Sequence, residues 1–481
     1  MVFMKLKKFG VVRIVIILIC CLFISGCQKN KRDDLILVTE AGFAPYEYYE
    51  NGEIVGIDID IAREIAKELG KNLVIKDVAF DSIINEVKTS KSDLGAAGIS
   101  YTEERAREVD FTINYATNKQ VVLVRRDSNI TSFEDITGSI SVQLGSLADT
   151  YITKNYPNIS LVREKKFLSA IESLKNNKVS AVVMDYLPAQ RLLTDDLVIL
   201  GKELVVDNYG MVVSKGNTEL LNACNKVIER LLSTGEMDEI ILSHMELLPN
   251  KHQGTSLFDK FYNTVIYDGR YKYILEGLEK TLIMAIGAMI LGVALGILMA
   301  LIRDFHDNTS KLHLLNLLAK AYITIIRGTP SILQLMIIYY VIFKNVSVNI
   351  VLVGILAFGI NSGAYVAEII RAGFNSVLKG QKEAGYALGL NYFQIMHYIV
   401  FPQAIKNVLP ALGNEFITLV KETSVGAYIG IVELTKASDI IASRTYDYFF
   451  PLILIALIYL IITYTLSRIV SLMEKRLYVR S

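Results

Sequence analysis

The side chains that could do chemistry fall into two sets, and neither set is catalytic. The 481 residues include only five histidines, widely scattered. No nucleophile–base pair or metal-ligand spacing stands out, so the sequence predicts no enzyme, no cofactor and no metal site. No G-x-x-x-x-G-K-[ST] run occurs, so the chain has no recognisable phosphate loop. The first polar set lies in the N-terminal half. Arg105 carries a planar fork that suits a carboxylate, but Glu103, Glu104, Arg107 and Glu108 around it equally describe a solvated helix face. Asp185 ends a short apolar run, where a carboxylate is either a binding group or a helix cap. Gly145-Ser146 follows a strand-like run and opens a helix-like one, a place where N–H groups face an anion. The second set sits in apolar surroundings. Asn361 and Glu368, seven apart, share one helix face, while Glu415, Lys421 and Glu422 interrupt or border an apolar stretch. Charges at membrane depth are costly and face protein or a water-filled path. A translocation path and a structural ion pair at the interface both fit.

Two kinds of chain must position these sets. Hydrophobic residues make up 52% and the net charge is +1, which gives no reason to expect nucleic acid. Residues 28–250 read as soluble and mixed in charge, and 276–472 as membrane. From residue 35 short β-rich runs (35–39, 73–79, 121–125, 139–143, 181–184, 210–213) alternate with helical ones (61–69 with Asp60 as N-cap, 82–89, and a tail at 219–243). Such alternation predicts an α/β domain. A linker region at 244–269 carries Pro249 and Gly254, the linker itself is set at 251–270, and its stretch Phe258-Asp259-Lys260-Phe261-Tyr262 suits a membrane surface. Five apolar runs follow, at 281–302, 322–343, 348–370, 409–432 and 449–467. With the soluble domain outside, five spans put Arg303, Lys311, Lys320, Arg371, Lys379, Lys382, Lys406, Lys475, Arg476 and Arg480 on the cytoplasmic side. Four spans would strand the basic C-terminus outside.

The N-terminus adds a targeting signal. Lys5, Lys7, Lys8 and Arg13 precede an apolar run at 14–24 and then Ser25-Gly26-Cys27, the layout of a secretory signal over 1–26. Four cysteines make no disulfide framework, and Cys224 reads as a packing residue.

One segment between apolar runs is polar and helical in pattern. It carries Glu383-Ala384-Gly385, Gly389, Ile399 and Pro402. This spacing resembles the coupling loop of ABC-importer membrane subunits and departs from it at Gly385 and Phe401. Arg327-Gly328-Thr329-Pro330 with Gln334, the run from Asn361 to Glu368, and Asn414-Glu415-Phe416 with the run from Lys421 to Ser424 resemble polar-amino-acid permeases of the histidine/glutamine type, over 271–475. Upstream, Phe43-Ala44-Pro45-Tyr46-Glu47, Gly56-Ile57-Asp58-Ile59-Asp60, the run from Ala97 to Arg105 with Val109-Asp110-Phe111, Val142-Gln143-Leu144-Gly145-Ser146 and Val183-Met184-Asp185 stand in the order of family 3 bacterial extracellular solute-binding proteins. Ile24-Ser25-Gly26-Cys27 resembles the lipoprotein cleavage box.

The resemblance implies a two-lobed α/β domain of the periplasmic-binding-protein type (type II) over 27–250, with lobe 1 at about 34–120 and 208–245 and lobe 2 at about 124–204. An all-α permease of about five helices follows at 271–481. It implies a bacterial cytoplasmic membrane, a multi-pass topology with the binding domain outside, and a lipid on Cys27. The implied function is amino-acid uptake as the fused binding and permease subunit of an ATP-driven importer, for glutamine, a basic amino acid or a similar one. The implied partners are a separate cytoplasmic ABC ATPase, a second copy of this chain, membrane lipid and the amino acid. Within the trap the resemblance assigns Arg105 to the ligand carboxylate, with N–H groups near Gly98 and Ser100 and at Ser146-Leu147. It assigns Asp185 and the Gly98 carbonyl to the ammonium group, and Phe43, Tyr46 and Phe80 to its walls. Leu147 departs from a common Ser/Thr there, and Asn114 from a common Pro. Glu40 lies where the ligand side chain is often touched and suits a cation or an amide. In the permease, Asn361, Glu368, Glu415 and Lys421 are assigned to the path, and Glu383, Ala384, Gly385 and Gly389 to ATPase coupling by close helix approach. A ligand-gated channel is the alternative, but it predicts a T-V-G-Y-G-like filter, which is missing. A sensor with a similar ectodomain predicts an output domain.

Overall fold

The computed structural model describes residues 33–50, 53–246, 256–343, 348–445 and 447–479. The expected signal segment at 1–26, Cys27 and linker residues 251–255 lie outside the described residues. Two compact units emerge, one formed by 30–273 with 438–451, the other containing 274–437 and 452–481.

The first unit is α/β. Strands β1 (Asp34–Thr39), β2 (Tyr48–Glu50), β3 (Glu53–Val55), β4 (Asn72–Asp77), β5 (Leu94–Gly95) and β6 (Val109–Phe111) come first. They are followed by β7 (Ala116–Arg125), β8 (Ile140–Gln143), β9 (Leu161–Glu164), β10 (Ala181–Asp185), β11 (Leu197–Ile199), β12 (Val205–Tyr209) and β13 (Val212–Ser214). One sheet has the order β4-β1-β5-β13-β6 and the other β11-β7-β10-β8-β9, with β12 added on β7. The chain enters the second sheet through β7 and returns through β12. These two strands pair antiparallel from Val205–Gln120 to Tyr209–Ala116. They are the crossing strands of a two-lobed fold.

The hydrophobic periodicity explains the layers. In helix Ile57–Glu68, Ile57, Ile61, Ala62, Ile65 and Ala66 are buried, while Asp58 and Asp60 occupy the first turn, where the helix dipole favours acids. The helix starts earlier than expected, so Asp60 is not its N-cap but bonds Arg63 and His244. Leu35 and Leu37 of β1 are fully buried, each contributing about 2 kcal/mol of apolar burial. Cys224 is buried in the helix Thr218–Thr234, a packing position, and burial pushes its thiol up to about 12.

The second unit is helical. Among the described residues three helices, Tyr271–Thr309, Ile350–Asn375 and Phe449–Leu477, are long and apolar enough to cross a membrane, or four elements if a bent pair counts as one span. The expected span 322–343 is that pair. Helix His313–Arg327 breaks at Gly328-Thr329-Pro330, and the chain resumes at Ser331 after a bend of 110°. Proline cannot donate its backbone N–H and disfavours a helical residue before it, which explains the break. The expected run 409–432 is not a single apolar helix either. Helix Phe401–Glu422 carries Gln403, Lys406, Asn407, Asn414 and Glu415, and gives way to a 3-10 turn at Thr423–Ile429. Helix Ile350–Asn375 is the most buried of the long helices. Gly292 and Gly296 let the first helix approach it closely, since a Cβ on them would meet Ser362 and Val366 at 3.0 and 2.4 Å.

Candidate functional site

The first site is the cleft between the two lobes. Thr102 caps helix Glu103–Glu108 by accepting from the Arg105 N–H at 3.2 Å, which fixes Arg105 in the first turn. Its guanidinium then donates to the Ser100 carbonyl and, across the cleft, to the Gly145 carbonyl, both at 2.7 Å. Phe80 lies beneath it, 5.6 Å from the ring centre. Burial pulls the Arg105 guanidinium below its ordinary value, opposed by Asp185 and Asp207.

A continuous polar path leads from Arg105 to Asp185. Ser100 Oγ donates to Asp207. Asn118 Nδ2 reaches both Asp207 Oδ1, at 3.1 Å, and Asp185 Oδ1, at 2.5 Å. Gln120 donates to the same Asp185 oxygen at 2.6 Å, and the Tyr209 hydroxyl joins them. Burial, with Asp207 adding to it, lifts the Asp185 carboxyl to about 7 against the pull of its Tyr209 and Gln120 hydrogen bonds. Burial likewise raises Asp207, although Ser100, Asn118 and Arg105 oppose the rise. The cleft thus pairs one held guanidinium with two crowded carboxylates. It can accept a carboxylate at one end and an ammonium group at the other.

Several expected donors are already engaged. The Gly98 N–H bonds Asp58 Oδ2 at 3.0 Å, so it is not offered to a ligand carboxylate. Asp58 also takes the Tyr115 hydroxyl at 2.6 Å, and burial lifts its carboxyl to about 6. Glu47 beside it is buried too and raised well above its ordinary value. The Ser146 N–H closes a turn on Gln143 O at 3.1 Å, and its hydroxyl caps helix Leu147–Asn155 through the Asp149 N–H. Leu147, the first residue of that helix, keeps an N–H that the helix cannot satisfy.

Phe43, Tyr46 and Glu40 sit at the other end of the cleft. Phe43 stacks on Tyr46 and on Phe167 of the second lobe, each at 5.6 Å and 25°. Gly98 has φ +53, and a Cβ there would meet Phe43 at 2.5 Å, so only glycine fits under the ring. Glu40 is 2% exposed and lies 3.8 Å from Lys166 Nζ and 3.5 Å from Gln143 Nε2.

The sequence reading missed Asn118, Gln120, Asp207, Tyr209, Gln143, Lys166 and Phe167. A signal existed for four of them. Asn118 and Gln120 on β7, and Asp207 and Tyr209 on β12, alternate with period two and so share a face at the crossing.

In the helical unit the polar residues bind one another. Asn361 donates to Gln334 Oε1 at 2.9 Å. Gln334 Nε2 in turn reaches Ile326 O, Thr329 O and Thr329 Oγ1 at 2.7, 3.1 and 2.8 Å, which ties down the broken elbow. Glu368 is held by Arg303 and by Arg371, the latter at 3.0 Å. Glu415 accepts from Ser362 at 2.8 Å, and Lys421 is exposed.

The polar elbow consists of helix Lys379–Ala387, a turn, and helix Tyr392–Ile395 capped by Asn391 with Gln394. Gly385 does allow close approach, because a Cβ there would meet Ile399 and Ile395 at 2.8 and 3.0 Å. Gly389 does not act that way. A Cβ on it would meet no atom within 4 Å, and its φ of +77 makes it a turn residue. Glu383 and Ala384 are exposed, and Tyr386, Leu388, Phe393 and Tyr398 present apolar surface, Leu388 being 81% exposed. Tyr392 donates to Asp304 at 2.6 Å, anchoring the elbow to the end of helix Tyr271–Thr309.

Comparison with known proteins matches both units. Residues 35–246 match bacterial extracellular solute-binding proteins, family 3. Residues 292–479 match the binding-protein-dependent transport system inner membrane component. The putative glutamine transport system permease protein GlnP of Rickettsia prowazekii is 40% identical over 215 residues, 44% of this chain and 96% of that protein. The arginine transport system permease protein ArtQ of Bacillus subtilis is 39% identical over 207 residues, 43% and 92% of the two chains. Among solved structures, a variant of ArgBP from T. maritima is 37% identical with a TM-score of 0.43, covering 44% of this chain and 95% of that one. The chain belongs to the ABC importers of polar amino acids, and it joins a family 3 extracellular solute-binding domain to an inner-membrane permease domain in one polypeptide.

Proposed function

We propose that this subunit captures glutamine or arginine outside the membrane at Arg105 and Asp185 and passes it through its own permease half. The polar path from Arg105 through Ser100, Asp207 and Asn118 to Asp185 carries this reading. It sets a cation and a carboxylate at the two ends of one cleft, as an α-amino acid requires. The ligand carboxylate displaces the Gly145 carbonyl from Arg105 and takes the Leu147 N–H, while its ammonium group meets Asp185 and the Gly98 carbonyl. Phe43, Tyr46 and Phe80 wall the cleft. The names of the permease relatives, one for glutamine and one for arginine, narrow the cargo to these two.

A separate ATPase docks on the elbow that carries Glu383, Ala384, Gly385 and Gly389, where Leu388 and Tyr398 offer exposed apolar surface. Two copies of the chain enclose the path, since a unit this small cannot do so alone. Glu415 and Lys421 line that path, and Asn361 and Glu368 position the helices around it. Residues 1–26 act as a signal and Cys27 carries lipid, on the strength of the Ile24-Ser25-Gly26-Cys27 box. Fusion makes docking of receptor on permease intramolecular, at effective concentrations of order millimolar. The test is equilibrium binding of labelled glutamine and arginine to the purified full chain. Saturable binding that Arg105→Ala abolishes supports the reading, and binding that survives the substitution contradicts it.

A further inference from the structure

Some cations of the helical unit brace nothing. Helix His313–Arg327 carries Lys320, Thr324 and Arg327 at helical spacing, so the three share one face. With Ile323 they line a cavity of about 300 Å³, completed by Arg303 of helix Tyr271–Thr309 and Glu368 of helix Ile350–Asn375. Of these lining residues only Glu368 is acidic, and it already pairs with Arg303 and Arg371. Among the described residues the side chains of Lys320 and Arg327 take part in no ion pair or hydrogen bond. Arg327 lies over the Tyr365 ring, 5.3 Å from its centre. Arg303 Nε is buried and has no acceptor. With the binding domain outside, helix Tyr271–Thr309 runs inward, and Arg303 stands near its cytoplasmic end. Arg327, seven residues beyond Lys320, lies about 10 Å deeper along its helix.

We infer that this cavity binds the phosphate group of an anionic phospholipid from the cytoplasmic leaflet. A cation at membrane depth is costly unless a counter-charge meets it, and no lining carboxylate remains for Lys320 and Arg327. A phosphate diester supplies one negative charge and two free acceptor oxygens. A guanidinium fork grips such oxygens in pairs, an ammonium group meets them as a point charge, and the Arg303 N–H adds a donor at the wall. A free phosphate ion offers the same chemistry. The lipid is favoured by the neighbouring stripe of the same helix, where Leu314, Leu317, Leu318 and Ile325 are exposed and give acyl chains an apolar surface beside the cations. A zwitterionic choline headgroup fits less well. It brings a second cation, and Glu368 is already engaged.

The test is native mass spectrometry of the purified full chain in detergent, with equal amounts of phosphatidylglycerol and phosphatidylcholine of the same chain length. Wild type should retain phosphatidylglycerol in preference, saturating at a single lipid per chain. Each cation removed should weaken that binding about fivefold, so Lys320→Gln/Arg327→Gln should weaken it about 25-fold. Lys320→Arg should bind as wild type does. Lys320→Gln alone alters an exposed side chain that holds no partner, so its fivefold loss decides the matter if the double variant fails to fold. A parallel titration with inorganic phosphate separates the two sources. Retention of phosphate with no preference between the lipids assigns the cavity to a free anion and overturns the lipid. A wild type without preference for phosphatidylglycerol, or a preference that Lys320→Gln leaves unchanged, overturns the site.

Discussion

The receptor cleft and the helical unit use the same residue types for opposite ends. In the cleft, Arg105 donates to two backbone carbonyls, one of them on the opposite lobe, and Asp185 and Asp207 crowd each other behind Asn118. These groups are held in place on both sides of the cleft. In the helical unit, Asn361 is spent on Gln334 and Glu368 on Arg303 and Arg371. There the polar bonds shape helices, because an unpaired group at membrane depth costs several kcal/mol. A charge therefore reads as a ligand site when its partners sit on two bodies that can separate. It reads as a brace when its partners lie within one helical bundle.

Substitutions in the two regions should accordingly separate binding from transport. Arg105→Ala should weaken amino-acid binding at least a hundredfold, with thermal stability nearly unchanged, as measured by equilibrium binding and a melting curve. In the other region, Gln334→Leu removes the carbonyl that holds Asn361 and leaves a buried amide unpaired, at about 1–3 kcal/mol. It should lower ATP-driven uptake at least tenfold in vesicles while binding is unaffected. A binding defect in that variant would break the comparison.

Acidity supplies a third, smaller test. Asp185 is lifted to about 7 in the ligand-free cleft. An ammonium ligand favours the ionised carboxylate, so affinity should fall about tenfold from pH 8 to pH 6, with proton release on binding. Calorimetry in two buffers of different ionisation enthalpy measures that release. The sign for stability is opposite. The folded domain holds the Asp185 proton more tightly than the unfolded chain does, so this group lowers the stability of the ligand-free domain as pH rises from about 4 through 7. The smallest effect is at the elbow. Gly389→Ala forces a side chain onto φ +77 without a clash and should cost about 1 kcal/mol, seen as a few degrees in the melting temperature.

Much of this was legible from residue order. Strand–helix alternation gave the α/β domain, and the motif series placed Arg105, Asp185 and Glu40 at one cleft. The N–H accounting was not legible. Gly98 and Ser146 look like donors in sequence, yet Asp58 and Gln143, 40 and three positions away, already use them. Strand β12 was missed because Val205-Val206-Asp207-Asn208-Tyr209 is short and polar and is stabilised mainly by its pairing with β7. Lys166 carries no local signal at all, since only closure of the two lobes brings it to Glu40. In the membrane half, hydropathy alone cannot distinguish a straight span from a helix broken at Gly328-Thr329-Pro330.

One polypeptide is proposed both to catch the amino acid and to conduct it. Uptake of labelled glutamine into proteoliposomes that contain only this chain and its ATPase tests it most directly. The account predicts ATP-dependent uptake without any added receptor, lost in Arg105→Ala while basal ATP hydrolysis continues. Uptake that requires a separate binding protein, or that Arg105→Ala leaves intact, would contradict it.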